Sequence, residues 1–241
     1  MKRVAIGVGR AACLALASQL PLGTGTAAIG GGDDFRLLEL DGYHVKWGDT
    51  TLGAGAVVTY AIIRTPSSFP DARNCGQLVP LDDLAARHRI AEETLHEEVA
   101  AAFRVWEAAA DLRFVRVEGP DEANILIGAQ GTPVGRAFAN VAYRPGAEEA
   151  IKSIEQSLVC LNPEQRWKVG FDGDTEVYDI RYTLIHEIGH AIGLDHPGPS
   201  GQFMSFGYHE QFRDLQPGDF RGVRFLYGAG LGTMAQGGDS D

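Results

Sequence analysis

His186-Glu187-Ile188-Gly189-His190-Ala191-Ile192-Gly193-Leu194-Asp195-His196 is the stretch that decides how this chain of 241 residues folds. Residues four apart share one face of an α-helix, so His186 and His190 present both imidazoles to one point. Glu187 sits beside the first of them and can reach a water held at that point. A glycine with positive φ ends a helix sharply, and a turn at Gly193 lets His196 swing back as a third ligand. Three imidazoles leave one position of a tetrahedral zinc ion open, which marks a catalytic site and not a closed structural one. Chance produces this arrangement in roughly 5 of 100,000 chains of this length and composition. Asp179 is a good N-cap residue, and the expected helix runs from there to about Leu194. Ile180, Leu184, Ile185, Ile188 and Ile192 make it apolar enough to be buried, and a buried helix holds its ligands rigidly.

With Met204 eight residues after His196, the pattern resembles that of the metzincin zinc proteases, in which such a methionine lies in a Met-turn. The short spacing to Phe203–Tyr208 and the closing segment Leu215–Gly228 resemble the matrixin branch, the family of matrix metalloproteinase catalytic domains. Val58-Thr59-Tyr60, Val105-Trp106 and Ala123–Ile127 extend the likeness, so that it covers about residues 43–228. The resemblance implies an α+β metzincin fold: a twisted, mostly parallel sheet, an active-site helix and a Met-turn. It implies hydrolysis of peptide bonds with one catalytic Zn2+ on His186, His190 and His196, and Glu187 as general base toward the zinc-held water. Gly193 and Met204 become structural supports, and Tyr208 a wall of the pocket for the residue after the scissile bond. Arg136–Asn140, including Ala137, Phe138 and Ala139, becomes an edge strand along which substrate lies extended.

The likeness has departures. Arg136 stands where matrixins have a histidine for a second, structural zinc, and the position near Cys160 is not histidine either, so that second zinc is not expected. Ca2+ has a weak claim: the loop before Trp167 reads Asn162-Pro163-Glu164-Gln165-Arg166, and Asp172-Gly173-Asp174 suits a solvated turn better than a calcium loop. His196-Pro197-Gly198 and Met204-Ser205 also resemble the serralysin branch, but its zinc-binding tyrosine is replaced by Phe206 and its C-terminal calcium repeats are absent. A non-catalytic zinc-binding scaffold or adhesion module and a peptidase restricted to one partner are the competing readings, and the intact Glu187 argues against the first.

The remainder of the chain sets the context. With 44% hydrophobic and 22% charged residues the composition is that of an ordinary globular protein, and no linker divides the core. A net charge of -11 repels phosphate and argues against nucleic acid as a partner. Beyond the N-terminus no run of about 18 apolar residues offers a membrane span. Met1-Lys2-Arg3, the apolar run Val4–Leu22 and the small residues Gly23–Ala28 read as a signal peptide over residues 1–28. The expected product is secreted, periplasmic or extracellular, and acts as a monomer on protein or peptide substrates. Residues 29–42 read as a flexible lead-in or short propeptide, 43–228 as the catalytic domain and 229–241 as a flexible tail.

Export leaves Cys75 and Cys160, for which one disulfide is the default in an oxidising compartment. The alternative is a free Cys75 on the zinc, since Arg73-Asn74-Cys75-Gly76 is similar to the latency segment of matrixins. Asp33, Asp34, Glu39 and Asp41 are candidates for an aspartate-type latch. His44, His88, His96 and His209 lack ligand spacing, although His209 adjoins the Met-turn and is a candidate for the cleft wall. Hydrophobic patterning predicts strands over 56–64, 114–117, 124–127, 136–143 and 157–161, and a loop over 65–80. It also predicts a helix over 91–110 with His96, Glu97 and Glu98 toward its exposed side.

Overall fold

Ile125-Leu126-Ile127 is buried on both faces, as the middle of a covered sheet requires. The computed structural model describes residues 34–146, 150–198 and 201–230, so the expected signal peptide and nearly all of the expected tail lie outside the described residues. The chain begins with β1 (Arg36–Leu37), β2 (Glu39–Leu40), β3 (Tyr43–Lys46), β4 (Ala56–Ile62), β5 (Ser67–Ser68) and β6 (Gln77–Val79). Then come α1 (Asp82–His88), α2 (Glu92–Ala109), β7 (Leu112–Arg116), β8 (Ile125–Gln130), β9 (Ala137–Tyr143) and β10 (Ile151–Leu161). The last elements are β11 (Trp167–Lys168), β12 (Tyr178–Asp179), α3 (Ile180–Ala191), β13 (Leu194–Asp195) and α4 (Pro217–Tyr227).

β3, β10, β8, β4 and β7 lie side by side and parallel. Antiparallel strands join at the margins: β2 on β3, β6 on β8, and β9 on β10. With helices packed on it, this mixed, centrally parallel sheet is the α+β architecture that the metzincin resemblance implies. Alternation along each strand sorts the apolar residues into two layers. Tyr60, Ile62, Ile125, Ile127, Val159 and Leu161 join the main core beneath α2 and α3. Their neighbours Ala61, Ile63, Leu126, Leu158 and Cys160 form a smaller cluster on the opposite face. There Cys160 is bonded to Cys75, with Cα atoms 5.7 Å apart, and no thiol remains at Cys75 to meet a metal.

Several expectations are corrected. The described part of the lead-in is folded: β1 pairs with β13, setting Leu37 opposite Leu194, and Leu37 is buried. Phe35, Leu37, Leu38 and Leu40 give that segment apolar surface to bury against the core. Of the latch candidates, Asp34 pairs with Arg221, Glu39 and Asp41 line the cleft beside α3, where Asp41 accepts a hydrogen bond from the Tyr143 hydroxyl (3.1 Å), and Asp33 lies outside the described residues. The 65–80 loop contains β5 and β6. β10 starts at Ile151, six residues before its sequence signal, and α1 and α4 were not anticipated. Glu98 is buried and not exposed, because Arg181 of α3 meets it with two hydrogen bonds of 2.6 and 2.7 Å.

Candidate active site

α3 is fastened at both ends and in its middle. Asp179 caps it, accepting from the Tyr182 N–H (2.7 Å) and, on its other oxygen, from the Gly170 N–H (2.6 Å). The Trp106 indole donates to the Ile185 carbonyl at 2.9 Å. At the C-terminal end, where carbonyls lack helical partners, the Trp47 indole (2.9 Å) and Ser157 hydroxyl (3.1 Å) donate to the Ala191 carbonyl. The Tyr227 hydroxyl donates to that of Ile192 at 2.7 Å. Gly193 follows with φ +100°, so close to the Val45 carbonyl that a Cβ would overlap it. The turn brings the Leu194 carbonyl to His190 Nδ1 at 2.8 Å and carries His196 back toward the helix.

The second support comes from the C-terminal helix. Asp219, buried near the start of α4, accepts from the N–H groups of Phe203 (2.7 Å), Met204 (3.0 Å) and Gln216 (2.7 Å). This fixes the turn that places the Met204 thioether against Gly189, where any Cβ would collide with Met204 and with Trp106. The Phe203 carbonyl in the same turn faces His186 Nδ1 at 3.3 Å.

With Nδ1 of His186 and His190 turned to carbonyl oxygens, those nitrogens carry the protons and the Nε2 lone pairs point inward. The Nε2 atoms of His186 and His196 are 2.9 Å apart and those of His190 and His196 3.1 Å. Nitrogens at tetrahedral zinc distances stand about 3.3 Å apart, so the donor set fits zinc. Burial, aided by the neighbouring imidazoles, holds His186 well below its ordinary pKa, and burial lowers His190 to about 4. The rings are therefore neutral at pH 7, the form that binds metal. Among the described residues this is the one cluster of histidines, cysteines or carboxylates with metal-ligand proximity.

Glu187 is buried beside the cluster, and burial raises its pKa from 4.5 to about 7 against the lowering effects of Arg136 and of the Ala139 N–H, which donates to its carboxylate. A cleft of about 1180 Å³ runs between α3 and β9, lined by His186, Glu187, His190 and His196 and by β9 itself. β9 pairs with β10 on one side only, and its other edge carries no strand among the described residues. Ala137 and Ala139 belong to the layer facing α3, whereas Phe138 packs against the smaller cluster on the other face.

Tyr208 stands one row back. Its ring meets Tyr178 edge-on at 5.3 Å, and its hydroxyl accepts from the Asp179 N–H (3.1 Å) and donates to Glu210 (2.7 Å). Two tyrosines line the cleft, Tyr143 of β9 and Tyr178, and the second carried no sequence signal. Asp219 was also missed, although Gln216-Pro217-Gly218-Asp219 spells a helix start with proline at its first position. His209 packs its ring on Tyr182 and Phe212 and does not line the cleft. Phe206 lies edge-on against His196 at 5.1 Å and offers no oxygen there.

The comparison with known proteins converges on the same region. Human (Homo sapiens) stromelysin-3 is 26% identical over 73% of this chain and 41% of its own length. Serralysin B of Dickeya chrysanthemi is 31% identical over 79% of the chain and 43% of its own length. Metalloendoproteinase 5-MMP of Arabidopsis thaliana is 26% identical over 53% of the chain and 38% of its own. The chain thus spans about two fifths of the length of these relatives. The matrixin family model matches residues 84–228, which run from α1 through the third histidine to the end of α4. Since that match takes in more than half of the sequence and every element that shapes the cleft floor, the chain belongs to the matrixin family.

Proposed function

We propose that the protein is a secreted zinc-dependent metalloendopeptidase, with Glu187 as its general base. The observation that carries this reading is the convergence of three Nε2 atoms beside a buried carboxylate, under a strand with a free edge. Zinc held by His186, His190 and His196 supplies Lewis acidity toward a water and the scissile carbonyl. Glu187 takes the proton of the attacking water and passes it to the departing amine. Its burial suits this role, because a carboxyl poised near pH 7 both accepts and returns a proton. The free edge of β9 aligns an extended peptide through main-chain hydrogen bonds, with Ala137, Phe138 and Ala139 contributing backbone. Gly193 and Met204 support the ligands, and Tyr208 backs the wall of the pocket. The serralysin-like alternative is disfavoured by Phe206, whose ring replaces a tyrosine ligand. Export by residues 1–28 fits the disulfide, and no helix among the described residues is long and apolar enough to cross a membrane. Incubating zinc-loaded protein with an unbiased peptide library tests the reading, and failure to cleave any peptide would sink it.

A further inference from the structure

Arg136 carries no step of the proposed reaction, yet it lines the cleft beside Glu187 and the three histidines. Its guanidinium lies over the ring faces of Tyr178 (5.2 Å) and Tyr208 (6.0 Å), the first of which lines the cleft with Glu187. Its Nε is buried and has no hydrogen-bond partner among the described residues. A buried donor left unmet costs free energy that a ligand can recover. No carboxylate among the described residues pairs with Arg136, and those around the Tyr178 wall and α3 are committed elsewhere. Glu210 is held by Lys168 at 2.6 Å and by the Tyr208 hydroxyl at 2.7 Å. Asp179 caps α3, Asp219 binds three N–H groups, and Glu98 is paired with Arg181. Glu187 lies outside ion-pair distance, although the positive charge of Arg136 reaches it.

We propose that Arg136 is a specificity-determining residue: it makes the Tyr178 side of the cleft select an acidic side chain, Glu or Asp, at the substrate residue following the scissile bond. The inference rests on the peptidase reading for where the substrate lies. A planar guanidinium seated on aromatic rings is already oriented, so it loses little freedom when it meets a carboxylate with two parallel hydrogen bonds. Charge-assisted bonds of that kind discriminate a carboxylate from an amide by about tenfold or more. An apolar residue at that position leaves the Nε–H unmet and is the poorer substrate.

The test uses the zinc-loaded full chain and peptides that differ only at that position, carrying Glu, isosteric Gln or Leu. The parent is expected to show a kcat/KM for the Glu peptide at least about tenfold above that for the Gln peptide. Arg136→Gln should bring that ratio to near one, and Arg136→Lys should keep part of it because the charge remains. A parental ratio of one or less, or a ratio unchanged by Arg136→Gln, would overturn the assignment. The same peptides, labelled for fluorescence anisotropy and titrated onto the non-hydrolysing Glu187→Gln chain, read the preference without turnover. Tighter binding of the Glu peptide that Arg136→Gln abolishes supports Arg136 even if no peptide is cleaved, an outcome that counts against the peptidase reading alone. Cleavage with no preference in either assay counts against Arg136 alone.

Discussion

Glu187 and Gly189 occupy the same turn of α3 but do different work, and single substitutions separate them. Glu187 is not among the converging nitrogens, so Glu187→Ala should leave zinc content close to that of the parent. Peptide hydrolysis should fall about 10²–10⁴-fold, the usual contribution of a positioned base. Metal analysis and cleavage measured on one preparation decide the matter, and parental turnover in Glu187→Ala would remove the mechanism. Gly189 has no chemistry of its own. It is a glycine because the Met204 thioether and the Trp106 indole occupy the space of a Cβ, and both neighbours are themselves buried. Gly189→Ala should therefore cost about 1–3 kcal/mol by overpacking. Urea unfolding of the metal-free protein reads that cost directly, and stability equal to the parent would show that Met204 yields freely.

At the scale of elements, the legible parts were those whose signals are local. α3 could be read because ligand spacing, the Asp179 cap and Gly193 all lie within eighteen residues, and β4, β8 and β9 because each holds a short, largely apolar run, rich in β-branched residues in β4. The illegible parts depend on partners distant in sequence. Glu98 has the surroundings of a surface residue until Arg181, 83 positions away, is brought against it. β1 is two residues long and exists because β13 passes beside it, and Tyr178 reaches the cleft only through the path of the chain into α3. Asp219 belongs to the same class: its carboxylate on α4 orders the Met-turn, which in turn presents a carbonyl to His186. Asp219→Ala should lower stability by about 2–3 kcal/mol, since three N–H groups, two of them buried, lose their acceptor. It should also weaken zinc binding about 10–100-fold, as loss of an indirect support to a ligand does. Competition with a chelator of known affinity measures the second effect, and unaltered zinc affinity would show that the turn holds its shape without the carboxylate.

For the molecule as a whole, the buried site imposes two opposed dependences of stability on pH, which the metal-free protein should reveal. Burial lowers His190 from 6.5 to about 4, so on acidification the unfolded chain takes up a proton that the folded chain refuses. That contribution, worth about 3 kcal/mol, is complete above pH 6.5 and is lost as pH falls toward 4. His186 and His196, both lowered chiefly by burial, act in the same direction. Glu187 acts in the opposite one. Burial raises it from 4.5 to about 7, so the folded state holds a proton between those values that the unfolded state has released. The folded protein thus gains about 3 kcal/mol from Glu187 as pH falls from 7 to 4.5, which offsets much of the loss at His190. Removing either group should unmask the other. In chelator-treated samples, Glu187→Gln should lose stability more steeply than the parent between pH 7 and 4.5, and His190→Gln less steeply. Urea midpoints at a few pH values across that window read both slopes. Three superimposable profiles would mean that water reaches these groups in the folded protein and that their burial does not govern their charge.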